Sequence, residues 1–480
     1  MEIYAIGVFP CNDLGGSWNK LTFTTEIITP ITMKRIIASI IAIMSATLIA
    51  VAANTSSEPL KMTPKRIRID TYEASVSANL IIVQPEAMPD VLDPSVYTVE
   101  ANGTERKVTG IYRCDERGEF NASGEYLAFG LEFSRRGSPM VYDGKTGFNN
   151  WVKAFPVSIS LAKGKSIKVG GVKYSAIDCA SDNMIPGFIS ESDIMTRGTY
   201  TGPSTGLPQD ETIATAAYEP WELLSDGKKN PLIIWLHGMG EGGTDPRIVL
   251  MGNETISLIR DGIQSHFTTD GGADGAYVLV LQSPTMWMDS MKGMSMGDVP
   301  SRYSDVLFNA ILDYVTAKNP DVDPSRIYVG GCSNGGYMTM NLLIRHPKFF
   351  AAAYPVCEAY SDSNISDAEI TYLANENIWF VQAFNDTTVK PQDFGMATYD
   401  RLMEKGAKNV WFSMFEDVTG SDIPGAKYMG HFSWVYVFND EVTASQDQKA
   451  GAWAPSNNGG GSIAPQGHAN LFDWMNAQRR

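Results

Sequence analysis

Three serines of this 480-residue chain stand inside the spacing Gly-x-Ser-x-Gly. They are Ser204 in Gly202-Pro203-Ser204-Thr205-Gly206, Ser295 in Gly293-Met294-Ser295-Met296-Gly297, and Ser333 in Gly331-Cys332-Ser333-Asn334-Gly335. On a sharp strand-to-helix turn this spacing lifts a serine hydroxyl out as a nucleophile, and the glycines let strand and helix pack closely. Only Ser333 has those surroundings. The apolar run Arg326-Ile327-Tyr328-Val329 precedes it, and Tyr337 to Arg345 reads as a helix that ends before Pro347. Ser204 sits between Pro203 and Pro208 and reads as a turn residue, whereas Ser295 lies in a polar, Met-rich loop shortly before Pro300.

A serine hydroxyl is a weak nucleophile and needs a base. Among the five histidines, His431 follows the last strand candidate in the loop Gly430-His431-Phe432-Ser433-Trp434 and is the expected base. His468, just before a C-terminal helical stretch, is the lesser candidate. His346 precedes Pro347 and reads as structural, His266 lies in a polar helix-loop region, and His237 opens the turn His237-Gly238-Met239-Gly240. The acid that fixes the imidazole tautomer is expected between serine and histidine, at a strand end. Asp386 meets this after the apolar run Ile378 to Phe384, while Asp393, Asp417 and Asp422 sit further into polar loop. Two backbone N–H groups would hold a developing oxyanion. Asn334, next to the nucleophile, supplies one, and the glycine turn supplies the other through Met239, with Gly238 as second choice. Candidate substrate contacts are Trp287 and Asp289 in the loop Pro284 to Gly297, then Glu358, Trp434 and Glu241.

These groups need a scaffold, and the second half of the chain supplies its pattern. From residue 212 onward, apolar runs at Pro231 to Leu236, Tyr277 to Leu281, Arg326 to Val329, Ala351 to Val356, Ile378 to Phe384 and Val410 to Phe415 alternate with helical stretches such as Asp305 to Ala317. Such alternation predicts an α/β domain over 212–480, with a mostly parallel sheet and helices on both faces. Residues 64–190 read differently. Leu127, Phe129, Leu131 and Phe133 alternate with other residues, as do Val157, Ile159 and Leu161, which predicts a small all-β sandwich. That stretch has no histidine, so it reads as a binding or packing module. Residues 191–211, rich in Ser, Thr, Gly and Pro, read as a linker.

The net charge of −16 argues against nucleic acid and anionic membrane surfaces as partners. Near the N-terminus, Met33-Lys34-Arg35, the apolar stretch Ile36 to Val51 and the small residues Ala52-Ala53 describe a cleaved export signal with Met33 as the start. The apolar stretch is short for a membrane span, so a secreted or periplasmic protein without a stable membrane anchor is expected. Cys11 would be lost with the signal. Cys114, Cys179, Cys332 and Cys357 remain, an even number that permits disulfides without assigning them.

Together, Trp235-Leu236-His237-Gly238-Met239-Gly240-Glu241-Gly242-Gly243, the serine turn with Gly336-Tyr337-Met338, Asn385-Asp386-Thr387-Thr388-Val389 and His431-Phe432-Ser433-Trp434 resemble the α/β-hydrolase superfamily. The resemblance is sharpest to secreted bacterial esterases and predicted peptidases of the prolyl-oligopeptidase-like group, and it covers nearly all of residues 212–480. The domain order resembles esterases that carry an N-terminal immunoglobulin-like domain. A seven-bladed propeller of about 40–50 residues per blade would not fit before residue 200, a departure from true prolyl oligopeptidases. The resemblance implies a serine carboxylesterase with a Ser333-His431-Asp386 triad and an acyl-enzyme, acting on a small-molecule or polymer-borne ester without metal or organic cofactor. A serine peptidase acting on short peptides is the alternative, and a non-catalytic binding protein on the same fold is the third reading. Oligomeric state is left open.

Overall fold

The computed structural model describes residues 54–201, 212–423, 425–461 and 465–480. The expected export signal, Cys11 and Ser204 lie outside them. The framework is an eight-stranded sheet. Its strands, numbered in chain order, are β1 (Thr196–Tyr200), β2 (Ile213–Tyr218), β3 (Asn230–Leu236), β4 (Tyr277–Gln282), β5 (Val322–Cys332), β6 (Ala352–Val356), β7 (Ile378–Ala383) and β8 (Val410–Phe415). They lie side by side as β1-β2-β4-β3-β5-β6-β7-β8. The first two join antiparallel, and from β4 to β8 every pairing is parallel.

Both faces are covered, as the near-continuous apolar strands require. Leu232, Ile234, Leu236, Leu279, Leu281 and Val329 form one face. They share a core with α1 (Ser304–Asp313), α2 (Asn334–Arg345) and α3 (Gly395–Glu404). The alternate residues Ile233, Trp235, Val278, Val280 and Tyr328 pack with the short helix Arg247–Gly252 and with α4 (Leu471–Ala477). All six expected strands form, their ends within one residue of those expected save in β5, which runs from 322 to 332 rather than from 326 to 329. The segment expected to be linker, 191–211, differs, because Thr196–Tyr200 forms strand β1 there. Its first four residues are exposed, so an edge strand carries no hydrophobic alternation to reveal it.

The preceding described residues are β-rich. A five-stranded and a four-stranded sheet face each other, and the Tyr97 and Phe129 rings meet across them at 5.1 Å. Leu127, Phe129, Val157 and Ile159 are buried, as their alternation predicts. One apolar cluster runs without a break from this region into a face of the α/β sheet, so the two parts share a core. Polar contacts add to it: Trp151 donates to Asp245 at 3.0 Å, and Arg260 pairs with Glu191 at 2.9 Å.

Candidate active site

Ser333 sits between β5 and α2 with φ 56° and ψ −114°, a sparsely populated conformation that costs about 1–3 kcal/mol. The surroundings hold it there. Its N–H donates to the Val356 carbonyl at 2.9 Å, and its carbonyl accepts from Tyr337 N–H at 2.8 Å. A side chain at Gly331 would meet the Leu236 carbonyl at 2.6 Å, and one at Gly335 would overlap the same oxygen. The Asn334 side chain then ties the turn to its neighbours, donating to the His237 carbonyl at 3.3 Å and accepting from Met288 N–H at 2.9 Å. Ser295, by contrast, is fully buried and hydrogen-bonded to Tyr337 Oη at 2.8 Å, so it is structural.

His431 lies on a tight turn, Gly430–Phe432, beyond β8. Its Nδ1 meets Asp386 Oδ2 at 2.8 Å, and both groups are buried. Asp386 is held in its own turn: Oδ1 accepts from Thr388 and Val389 N–H at 2.8 and 3.0 Å, and Gln382 donates to Oδ2 at 3.3 Å. A carboxylate against Nδ1 keeps the proton on that nitrogen and leaves the Nε2 lone pair free to act as a base. Burial opposes a charged imidazole, but contacts with the Cys357 thiol and the Asp386 carboxylate outweigh it. His431 is therefore easier to protonate than a free histidine. The Trp434 ring stands edge-on to it at 5.8 Å.

The glycine turn His237–Gly240, expected to hold an oxyanion, follows β3. Glu241 Oε2 accepts from Gly238 N–H at 3.0 Å, which occupies that donor. His237 shapes the turn with its ring as well as its backbone. Ser283 N–H donates to Nε2 at 3.0 Å, so the proton is on Nδ1, which donates to the Gly238 carbonyl at 2.6 Å. Full burial drives the His237 pKa down to about 4 and keeps the ring neutral. Burial likewise pushes the Glu241 carboxyl up to about 8. A side chain at Gly238 would touch Cys332 Sγ at 3.4 Å, so the cysteine of the serine turn packs beneath the glycine turn. Cys114, Cys179, Cys332 and Cys357 are all buried free thiols.

A cavity of about 590 Å³ brings the pieces together, with Ser333, His431, Trp434, Met239 and Gly238 in its wall. The opposite wall comes from the β region: Ser75, Val76, Arg135, Met140, Tyr142 and Asn149. No local pattern in that stretch points to this role, because its residues reach the cavity from separate turns. The first hairpin, Leu60–Tyr72 with Ser75–Pro85, anchors the wall through the buried Glu73 at its tip. Glu73 accepts from Ser421 N–H at 2.5 Å, Asp422 N–H at 3.1 Å and Tyr428 Oη at 2.8 Å, in the segment that leads to His431, and from Asn439 Nδ2 at 2.8 Å, just after the helix that follows His431.

Other expected contacts are corrected. Trp287 is fully buried, packed on the His237 ring at 5.0 Å and on Tyr303, because its loop folds under the glycine turn. Glu358 is buried at 1% exposure and bonded to Tyr360 N–H at 2.7 Å, away from the cavity. Asp289 pairs with Arg302 at 2.8 Å. His266 bridges Asp440 and Asp473, His346 stacks on Phe308, and neither they nor His468 lines the cavity. Of the rival acids, Asp417 pairs with Lys427 and Asp422 contacts Glu73.

A mostly parallel eight-stranded sheet, with a serine on the turn after its central strand and an acid and a histidine beyond β7 and β8, is an α/β-hydrolase fold. The model of the Prolyl oligopeptidase family matches residues 301–402, which include Ser333 and Asp386. A solved structure titled "Crystal Structure of a Thermostable Esterase" shares this fold at a TM-score of 0.64 and 19% identity, over 87% of this chain and 99% of that one. An acylaminoacyl peptidase from Pyrococcus horikoshii aligns at a TM-score of 0.32 and 14% identity, over 71% of this chain and 65% of that one. No curated protein matches the chain.

Proposed function

We propose that the protein is an exported serine carboxylesterase that works through an acyl-enzyme. The observation that carries this reading is the 2.8 Å bond between His431 and Asp386, in the wall of the cavity that Ser333 also lines. In the proposed reaction His431 takes the Ser333 proton at Nε2 as the hydroxyl attacks the ester carbonyl. The Met239 and Asn334 N–H groups hold the oxyanion, and the imidazolium returns the proton to the leaving alkoxide. Water then attacks the acyl-serine by the same route. Trp434 and the β region, which we read as immunoglobulin-like, shape the space for the ester, whether on a small molecule or a polymer. The chain would leave the cytoplasm through the signal at 33–53; among the described residues no helix is long and apolar enough to cross a membrane.

Purified residues 54–480 and their Ser333→Ala variant, assayed on p-nitrophenyl acyl esters and short peptide amides, test the proposal. Ester turnover lost in Ser333→Ala is the expected result. The match to the Prolyl oligopeptidase family favours a second reading, a peptidase on short peptides. Amide turnover at comparable kcat/KM would select it.

A further inference from the structure

We propose that Arg135 is a recognition group for a carboxylate on the substrate, so that the preferred ester carries a negative charge near its scissile bond. The inference rests on the ester-hydrolase reading. Arg135 belongs to the turn between the strands Tyr126–Leu131 and Met140–Asp143 of the β region and lines the cavity that holds Ser333 and His431.

Its guanidinium is aimed. Arg135 Nη2 donates to Tyr428 Oη at 3.3 Å, and the group stands 5.5 Å from the centre of the Tyr428 ring. Tyr428 in turn donates to Glu73, itself held by Ser421, Asp422 and Asn439. A flexible side chain on an exposed turn is thus fixed from both its face and its edge.

Its charge is also uncommitted. Among the described residues Arg135 has no carboxylate within ion-pairing distance, whereas Arg247, Arg260 and Arg401 each pair with at least one acid. Glu73, one hydrogen bond away, already takes four donors, three on Oε1 and the Tyr428 hydroxyl on Oε2. The planar fork of an arginine suits a carboxylate, which it can hold through two parallel bonds. In a chain of net charge −16, a local cation is what makes an anionic substrate favourable here.

The carboxylate could sit on the acyl or the alcohol part of the ester, and matched pairs separate the two. p-Nitrophenyl hydrogen succinate against p-nitrophenyl levulinate tests the acyl side, and 4-acetoxybenzoate against 4-acetoxybenzamide tests the alcohol side. Wild type should favour the charged member in one pair. Arg135→Met keeps the packing on Tyr428 and should raise KM for that ester about tenfold, within the range of a charged hydrogen bond, and by clearly more than for its neutral partner. Arg135→Lys should restore part of the loss. Equal effects on both members of each pair, or no charge preference in either pair, overturn the proposal. If wild type and Ser333→Ala hydrolyse none of the four esters, the ester-hydrolase reading fails instead. Calorimetric titration with succinate and benzoate then decides the Arg135 inference. Weaker binding by Arg135→Met supports it, and unchanged binding or none in wild type overturns it.

Discussion

Glu241 Oε2 and the Gly238 N–H form a 3.0 Å hydrogen bond inside the turn that follows β3. The bond occupies Gly238 N–H, and under the proposed mechanism it leaves Met239 N–H as the turn's donor for the oxyanion. It also makes a buried acid responsible for the shape of that turn.

Replacing Glu241 with glutamine keeps an acceptor for Gly238 and should preserve most activity. Alanine removes the acceptor, and kcat should fall about 10–100-fold with little change in KM, as expected for a displaced oxyanion donor. Steady-state kinetics of the two variants decide it; an equal fall in both would disconnect Glu241 from the turn.

The Cys357 and Asp386 contacts favour protonated His431 against the opposing effect of burial, so the neutral base becomes abundant only above its ordinary value of 6.5. The acid limb of kcat/KM should therefore have its midpoint above pH 6.5 and rise toward alkaline pH. Asp386→Asn removes one of the causes, so the midpoint should move down while the maximal rate drops by several orders of magnitude, about 10⁴ in comparable triads. A pH–rate profile that is flat across pH 6–9 in the wild type would falsify this assignment of the base.

Glu73 joins residues about 350 positions apart in sequence. Glu73→Ala leaves the Ser421 and Asp422 N–H groups without their acceptor, and stability should fall by about 1–2 kcal/mol. Because those residues lead to His431, kcat should fall as well, and Glu73→Gln should recover part of both losses. Urea unfolding followed alongside turnover provides the measurement, and a variant with lower stability but full kcat would reduce Glu73 to a simple fastener.

Burial pushes the Glu358 pKa up to about 8 from an ordinary 4.5. A carboxyl raised in the fold contributes most below pH 4.5, and that contribution is lost as pH climbs toward and past 8. Glu358→Gln has no proton to lose and can still accept from Tyr360 N–H. It should match wild type near pH 4.5 and exceed it by about 2 kcal/mol at pH 9. Stability curves that stay parallel across that interval would rule the acid out as their source.

Much of the α/β part was legible because its signals are local. Continuous apolar runs mark strands buried on both faces, and glycines at 331 and 335 stand where a Cβ would strike the Leu236 carbonyl. Asp386 and His431 were singled out by position after such runs. Other features left no local trace. β1 is exposed along most of its length and reads as a loop. Trp287 and Glu358 follow strands much as Asp386 does, yet their chain turns inward, which only tertiary packing decides. The cavity wall from the β region depends on Glu73 meeting the 421–439 segment, a contact that no periodicity encodes.

The cavity's two walls also divide labour along the chain. Ser333, Asp386 and His431 lie within one continuous stretch, while Arg135, Tyr142 and Asn149 come from turns and hairpin strands far upstream. Turns of that kind accept insertions and exchanges with little effect on the sheets beneath them. Under the proposed esterase reading, diversification should therefore be quick in the esters admitted and slow in how they are cleaved. Swapping residues 134–138 between relatives would be the direct way to retarget the protein.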